Sequence, residues 1–196
     1  MPIRSFVVPT CTGNPSLSTE ERACVLELLE DSQRDFFDAL DGLSETQWRW
    51  KPTAEQWSVG ETAEHIVLAE SLLFASVQRA VASPPNPEWA EQTKAKTEVV
   101  ARVVPSRTGK AVAPDRIVPR AGLTPGQVKE RFGGQRTDMV RFARETQVAL
   151  KEHTLAHPFP IFGMLHAYQW LLYVPLHTIR HNQQIAEVKA ASGYPR

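Results

Sequence analysis

Three histidines in two segments of the chain have the spacing to bind one metal ion. His177 and His181 lie four residues apart in the segment WLLYVPLHTIRHNQQIAEV. On an α-helix this spacing is a rise of about 6 Å and a rotation of roughly 40°, so both imidazoles leave the same face. His65 lies in a second segment of helical periodicity, WSVGETAEHIVLAESLLF. We predict that His65, His177 and His181 bind one divalent ion and leave a position open for water or substrate, as catalytic zinc sites do.

Two familiar kinds of metal site are excluded by the residues around these histidines. A zincin protease needs H-E-x-x-H, but Thr178 follows the first histidine of the pair. A ferritin-like di-iron site needs two E-x-x-H motifs, but Thr62 and Thr178 stand three residues before His65 and His181. A mononuclear site remains, and imidazole suits zinc, nickel, copper or iron. The alternative is three hydrogen-bonded or polar-face histidines, because H-x-x-x-H pairs arise often by chance.

Polar residues one turn from the predicted ligands are candidates for orienting them. Glu61 precedes His65 by one turn, and Gln184 follows His181 by three residues. Metal-bound histidines usually donate their second N–H to such oxygen atoms. For Glu61 the alternative is a role only in starting the helix.

Three further residues of the last segment bear on this site. Tyr173, one turn before His177, is either a proton donor or a core residue with a bonded hydroxyl. Arg180 lies at the edge of the ligand face and either holds an anion or is solvated. Pro175 removes one helix hydrogen bond, so we expect a kink that aims His177, or a split helix. The other histidines are predicted to stay outside the site: His153, His157 and His166.

Four segments have helical periodicity, and we predict an all-α four-helix bundle of one domain, residues 1–196. No segment alternates with period two for more than a few residues, so no sheet is expected. A long proline-punctuated crossover joins the second and third helices, and its EWAEQTKAKTEVVARVV stretch could form a short helix. The predicted helices begin at capping boxes on Ser18, Ser58 and Thr124 and, for the fourth, at about Met164.

Composition narrows the partners and the compartment. Lysine plus arginine equals aspartate plus glutamate, 22 against 22, which argues against a nucleic-acid partner. The longest fully apolar stretch, Trp170 to Leu176, is far shorter than the ~20 residues of a membrane span, so no membrane partner is expected. The first residues, MPIRSFVVPTCTG, lack a signal-peptide core. Cys11 and Cys24 have no redox or zinc spacing, which favours a cytoplasmic location and predicts that Cys11 is inert.

Two motifs, taken together, resemble the DinB-like superfamily. The first is W-x-W-x-P-x-x-x-x-W-S-x-x-E-x-x-x-H, from Trp48 to His65. The second is H-P-x-x-x-F-G followed by W-x-x-x-x-x-x-H-x-x-R-H-x-x-Q-I, from His157 to Ile185, and the APDRIVP connector lies between them. The resemblance implies a four-helix bundle, often dimeric, in which three histidines bind a divalent metal, commonly zinc or nickel. The ligands carry over onto His65, His177 and His181.

The resemblance leaves two classes of function open. The first is an enzyme with a small-molecule substrate, either an S-transferase that uses a low-molecular-weight thiol or a metal-dependent hydrolase. The second is a non-catalytic metal-binding stress-response bundle whose ion serves folding. A homodimer is also expected, from the zero net charge, from the tryptophan-rich connector between the first two helices, and from the family. Pro175 is not part of the family pattern.

Overall fold

Four long α-helices form about half of the structure, a computed structural model that describes residues 7–9, 13–108 and 112–196. Three short helices, one 3₁₀ turn at Asp115–Ile117 and one two-stranded sheet complete it. The elements in chain order are α1 (Thr19–Leu40), α2 (Glu45–Arg49), α3 (Val59–Ala82), α4 (Trp89–Gln92), α5 (Lys96–Val103), α6 (Pro125–Glu145), β1 (Thr154–Ala156), β2 (Met164–His166) and α7 (Ala167–Ala190).

The three predicted capping boxes start α1, α3 and α6. At Ser18, Ser58 and Thr124 the hydroxyl accepts from the backbone N–H three residues on, and that residue's side chain accepts from the cap N–H. Each such cap stabilises a helix by roughly 1 kcal/mol. These helix starts are therefore confirmed, and the periodicity between them holds because the apolar stripes are buried in the bundle.

The start of the fourth helix was predicted wrongly. Met164–His166 pairs antiparallel with Thr154–Ala156, so the expectation of no sheet is also wrong. α7 begins three residues later, with His166 as its cap: Nδ1 of His166 accepts from the backbone N–H of Gln169 at 3.0 Å. Pro175 lies inside α7, which continues through it to Ala190, so the split-helix alternative is wrong.

Around the bundle the four long helices follow the order α1, α7, α3, α6, since α1 and α3 each pack against both α6 and α7. A buried ionic cluster joins all four. Arg136 of α6 donates to the Leu29 carbonyl at 2.7 Å and to the Ser32 hydroxyl at 2.8 Å, both on α1. It also contacts Glu70 of α3 at 2.5 Å and Thr178 of α7 at 3.2 Å. We call these five residues the Arg136 cluster.

The connector between α1 and α3 packs closely on the bundle. Trp48 of α2 is buried, and its indole N–H donates to the Leu123 carbonyl at 3.1 Å. Gly60 allows this approach, because a Cβ there would lie 2.5 Å from Nε1 of Trp48. The ring of Trp50 contacts Tyr194 edge-on, with the centroids 5.5 Å apart. The connector therefore links the start of α3 to the end of the crossover and to the C-terminus.

The crossover from α3 to α6 contains two short helices, whereas the sequence suggested one. α4 and α5 are separated by a turn in which Ala95 has a positive φ of 56°. α5 packs on α7, so the crossover runs along the outside of the fourth long helix. The crossover then returns through the 3₁₀ turn to the start of α6.

Two remaining expectations concern membranes and cysteines. α3 is long and apolar enough to cross a membrane by length and composition alone, but core helices such as this one pass the same test. Burial raises the pKa of the Cys24 thiol to about 11, with a smaller contribution from Glu27. That thiol is therefore protonated at neutral pH, whereas the prediction for Cys11 falls outside the described residues.

Candidate metal centre

The three predicted histidines meet between α3 and α7. His65 projects from α3, His177 and His181 project from α7, and one ring nitrogen of each lies within 4.8 Å of those of the other two. The Nε2 atoms of His177 and His181 are 3.2 Å apart. Two imidazole nitrogens on a tetrahedral zinc, each about 2.0–2.1 Å from the ion, are separated by about 3.3 Å. The spacing of this donor set therefore fits a single divalent ion.

The site is buried on one side and more open on the other. His65 is 3% exposed and His181 is 7% exposed, whereas His177 is partly exposed. Trp57 covers the connector side of the site, with its ring centroid 4.8 Å from that of His65. Of the three histidines, His177 is therefore the most accessible to solvent.

Backbone from the crossover orients His65. Nδ1 of His65 lies 2.8 Å from the Ile117 carbonyl oxygen. A carbonyl only accepts, so Nδ1 carries the proton and the lone pair of Nε2 is free for a metal. The suggestion that Glu61 does this is wrong, because its carboxylate caps α3 at Ser58 and pairs with Lys51.

Glu64, next to His65, fixes the crossover in this position. Its buried carboxylate accepts four consecutive backbone N–H groups, those of residues Arg120 to Leu123, at 2.7–3.2 Å. Burial opposes its ionisation, but these four N–H groups outweigh burial and lower the pKa of Glu64. The positive φ of Gly122, 63°, allows the backbone to curl around the carboxylate. Sequence reasoning missed Glu64, because α3 also carries Glu61 and Glu70 and nothing local distinguishes a buried carboxylate from a solvated one.

Hydrogen bonds between side chains orient His181, and Gln184 makes the contact predicted for it. Nδ1 of His181 lies 2.9 Å from Oε1 of Gln184, and the same oxygen receives Nη1 of Arg107 at 3.3 Å. A guanidinium only donates, so this atom must be the amide oxygen and His181 must donate to it from Nδ1. Nε2 of His181 therefore also keeps its lone pair for a metal.

The three imidazoles are held in the neutral form that binds metals. Burial lowers the pKa of His65, and burial together with the neighbouring histidines lowers the pKa of His177 and of His181 well below the ordinary value. The nearby guanidinium of Arg180 lowers both of the latter further. At neutral pH, protons therefore compete little with an ion for these nitrogens.

Aromatic residues line the rest of the site. Tyr173 stacks beside His177 with centroids 6.3 Å apart, and burial raises the pKa of its phenol to about 12. It therefore stays protonated and can act as a donor. Trp170 is a core residue, and its indole N–H donates to the Leu155 carbonyl at 3.1 Å.

The other three histidines lie outside the site, as predicted. A ring nitrogen of His153 is 2.7 Å from the Ser83 carbonyl oxygen, and His157 accepts from the backbone N–H of Phe159 at 3.0 Å. His166 caps α7. Each has a local structural contact that accounts for it.

The sequence matches the DinB superfamily over residues 28–185, so the chain belongs to that superfamily. It is 26% identical over 167 residues to the uncharacterized protein YuaE of Bacillus subtilis strain 168, covering 84% of this chain and 96% of YuaE. It also resembles the solved structure of YfiT from Bacillus subtilis with a TM-score of 0.55 and 14% identity, over 94% of this chain and 95% of that one. YfiT is described as a probable metal-dependent hydrolase with an unusual four-helix bundle topology. The predicted fold class, a four-helix bundle, is confirmed.

Proposed function

We propose that this protein is a metal-dependent hydrolase that binds one divalent ion, zinc or nickel, through His65, His177 and His181. The observation that carries this proposal is the donor set. Within the described residues the group contains three imidazoles and no fourth histidine, cysteine or carboxylate, as in a site with an open position. The description of YfiT as a probable metal-dependent hydrolase supports hydrolysis as the reaction.

The residues of this chain prepare the site in two ways. A divalent ion held there would lower the pKa of a water or thiol in the open position. The Ile117 carbonyl and Gln184 amide fix the tautomers of His65 and His181, so that both present Nε2. Tyr173, protonated at neutral pH, is placed to donate a hydrogen bond or a proton to a leaving group beside His177.

Transfer of a small thiol remains a second candidate reaction. The same three-imidazole site would activate a thiol as it would water. The family resemblance supports this reaction, with a low-molecular-weight thiol as co-substrate. A non-catalytic bundle is the third possibility and requires that the ion be closed off by a further ligand.

One experiment separates these possibilities. Metal-stripped protein is reloaded with zinc or nickel and incubated with a panel of esters and amides, and separately with small thiols plus electrophiles, with products followed by mass spectrometry. We expect hydrolysis that requires about one ion per chain. It should be lost in His177→Ala and kept in His153→Ala, a histidine outside the site. Conjugates without hydrolysis would replace the proposal with thiol transfer, and inertness in both panels would favour a non-catalytic role.

The oligomeric state and location are separate proposals. Of the connector tryptophans, Trp48 is buried, whereas Trp50 and Trp57 are partly exposed. A homodimer remains a proposal that rests on the family resemblance and on the zero net charge. Light scattering at micromolar concentration tests it, and a monomer would refute it. A cytoplasmic location likewise remains a proposal.

A further inference from the structure

One tryptophan lies directly beside the three histidines. The ring of Trp57 is tilted by 45° against that of His65, and the two centroids are 4.8 Å apart. The other ring contacts made by tryptophans, within the part of the chain that the structure describes, are to Tyr194, to Tyr173 and to histidines outside the group. Trp57 is therefore the tryptophan that touches a predicted metal ligand.

The start of α3 places Trp57 beside His65. Trp57 directly precedes Ser58, the cap of α3, and the backbone N–H of Ser58 donates to the Glu61 carboxylate at 2.8 Å. A hydrophobic residue just before a helix cap often packs on the first turns of that helix. Here the ring reaches His65, about two turns into α3. The capping box that begins α3 therefore also fixes the place of Trp57.

Trp57 differs from the core tryptophans in exposure and in hydrogen bonding. Trp48 and Trp170 are buried, and the indole N–H of each donates to a backbone carbonyl at 3.1 Å. Trp57 is partly exposed, and its indole N–H makes no hydrogen bond within residues 7–9, 13–108 and 112–196. Buried tryptophans usually bond their N–H, whereas a tryptophan at a binding surface keeps it available. Trp57 therefore offers both apolar ring surface and a donor to a bound molecule.

The ring of Trp57 is within reach of a small molecule bound at the open position. An ion held by Nε2 of His65 at about 2 Å would lie about 3 Å from the centre of that imidazole ring. It would then be no more than about 8 Å from the centre of the Trp57 ring. Aromatic rings interact when their centroids are about 4.5–7 Å apart. A ring attached directly to a metal-binding group is therefore close enough to pack against Trp57.

We propose that Trp57 binds an aromatic ring of the substrate, next to the group that the ion activates. Small-molecule sites combine apolar, often aromatic, walls with a few polar groups that fix the orientation of the ligand. Here Trp57 is the wall, and the ion held by the histidines fixes the reacting end. The substrate class is then an ester or amide with an aromatic ring close to the bond that is cleaved. This inference rests on the proposed function, because it takes the open metal position as given.

A matched pair of hydroxamates tests the proposal. Acetohydroxamate and benzohydroxamate bind a metal through the same two oxygen atoms, and only the second carries an aromatic ring. Zinc held by three protein ligands can expand to five-coordinate, which accommodates both oxygens. Titration calorimetry on the zinc-loaded protein measures the affinity of each probe without any turnover. We expect the wild-type protein to bind benzohydroxamate about 10-fold more tightly, since contact between aromatic rings adds to the gain from burial.

Substitutions then assign this preference to Trp57. At full zinc loading, Trp57→Ala should bind the two hydroxamates equally, with the acetohydroxamate affinity of the wild type. Trp57→Phe keeps an aromatic ring and should retain a preference for benzohydroxamate. Trp50→Ala is the matched control, because Trp50 is also a partly exposed connector tryptophan but contacts Tyr194. It should show the wild-type preference.

The possible failures of the two proposals differ. Equal binding of the two hydroxamates by wild type, or an equal loss of the preference in Trp50→Ala, would overturn the aromatic subsite and leave the proposed function intact. If Trp57→Ala binds both probes more tightly by the same factor, Trp57 only covers the ion, and the subsite is again overturned. If neither hydroxamate binds to the zinc-loaded wild type, the open metal position is overturned, and with it both proposals.

Discussion

Two of the buried polar groups of the bundle, the Arg136 cluster and the three histidines, balance their charges differently. In the Arg136 cluster a cation from α6 faces a carboxylate from α3, and donors and acceptors from α1 and α7 surround the pair. Between α3 and α7 the three histidines are neutral bases with no carboxylate in the group. The charges of the Arg136 cluster balance within the protein, whereas the three histidines offer their lone pairs to an ion from solution.

This difference assigns separate roles to the two clusters. A buried ion pair contributes little net stability, but removal of one partner leaves an uncompensated charge in the core. Removal of a neutral imidazole leaves no such charge. Changes in the Arg136 cluster should therefore affect folding, whereas changes among the histidines should affect metal binding.

The largest effect is expected for Arg136→Met. The substitution leaves the carboxylate of Glu70, 2% exposed, without its cation. We expect a loss of about 3–5 kcal/mol in the free energy of unfolding, measured by urea denaturation. Arg141→Met, at an exposed position of the same helix, should change stability by less than about 0.5 kcal/mol. A matching small loss for both variants would show that the Arg136 cluster does not hold the helices together.

The next effect is expected for His177→Ala. Loss of a ligand should weaken metal binding by more than the roughly 10–100-fold that is typical of losing a residue that merely orients a ligand. The metal-free form should stay folded, because apolar stripes and capped helices build the bundle without the ion. Titration calorimetry and urea denaturation measure the two quantities separately. If the variant is unfolded at room temperature where the wild type is stable, the ion is structural.

A pH dependence should expose a third buried polar group, His166. Burial lowers the pKa of His166 to about 3, so below pH 6.5 the unfolded chain binds a proton that the folded chain does not. The contribution of His166 to the free energy of unfolding should therefore be fully present above pH 6.5. It should fall on acidification, with a slope that approaches about 1.4 kcal/mol per pH unit below pH 6.

His166→Asn tests this contribution. Asparagine is a preferred N-cap with a side-chain oxygen to replace Nδ1, and it does not titrate. The slope of stability against pH between 6 and 4, measured on metal-free protein, should decrease by about one proton relative to wild type. His153→Asn serves as the comparison, because His153 is partly exposed and directly precedes β1. An unchanged slope in His166→Asn would mean that His166 is already charged in the folded state.

The sequence predicted the helices well because their signals are local. A capping box spans four residues, and an apolar stripe repeats within a turn. The pairing of Thr154–Ala156 with Met164–His166 was missed, since three-residue strands are too short to show alternation. Arg136 was missed as well, because in a helix with many charged residues nothing local distinguishes a buried arginine from a solvated one.

The residues of the candidate site were likewise predictable only where their sequence signal is local. His65, His177 and His181 could be chosen from helical spacing, and Gln184 from its offset to His181. The Ile117 carbonyl could not, because every residue has a carbonyl and its position depends on the path of the crossover.

The smallest effect, and the sharpest test of how the crossover serves the site, is expected for Glu64→Gln. A glutamine offers one acceptor oxygen, and its NH₂ group would face backbone N–H groups where the second carboxylate oxygen now accepts two of them. The crossover should loosen, the Ile117 carbonyl should orient His65 less well, and zinc affinity should fall by about 10-fold, the lower end for such orienting contacts. Glu61→Gln, one turn earlier, keeps its capping role and should leave zinc affinity unchanged. Equal zinc affinity in the two variants would mean that α3 alone positions His65.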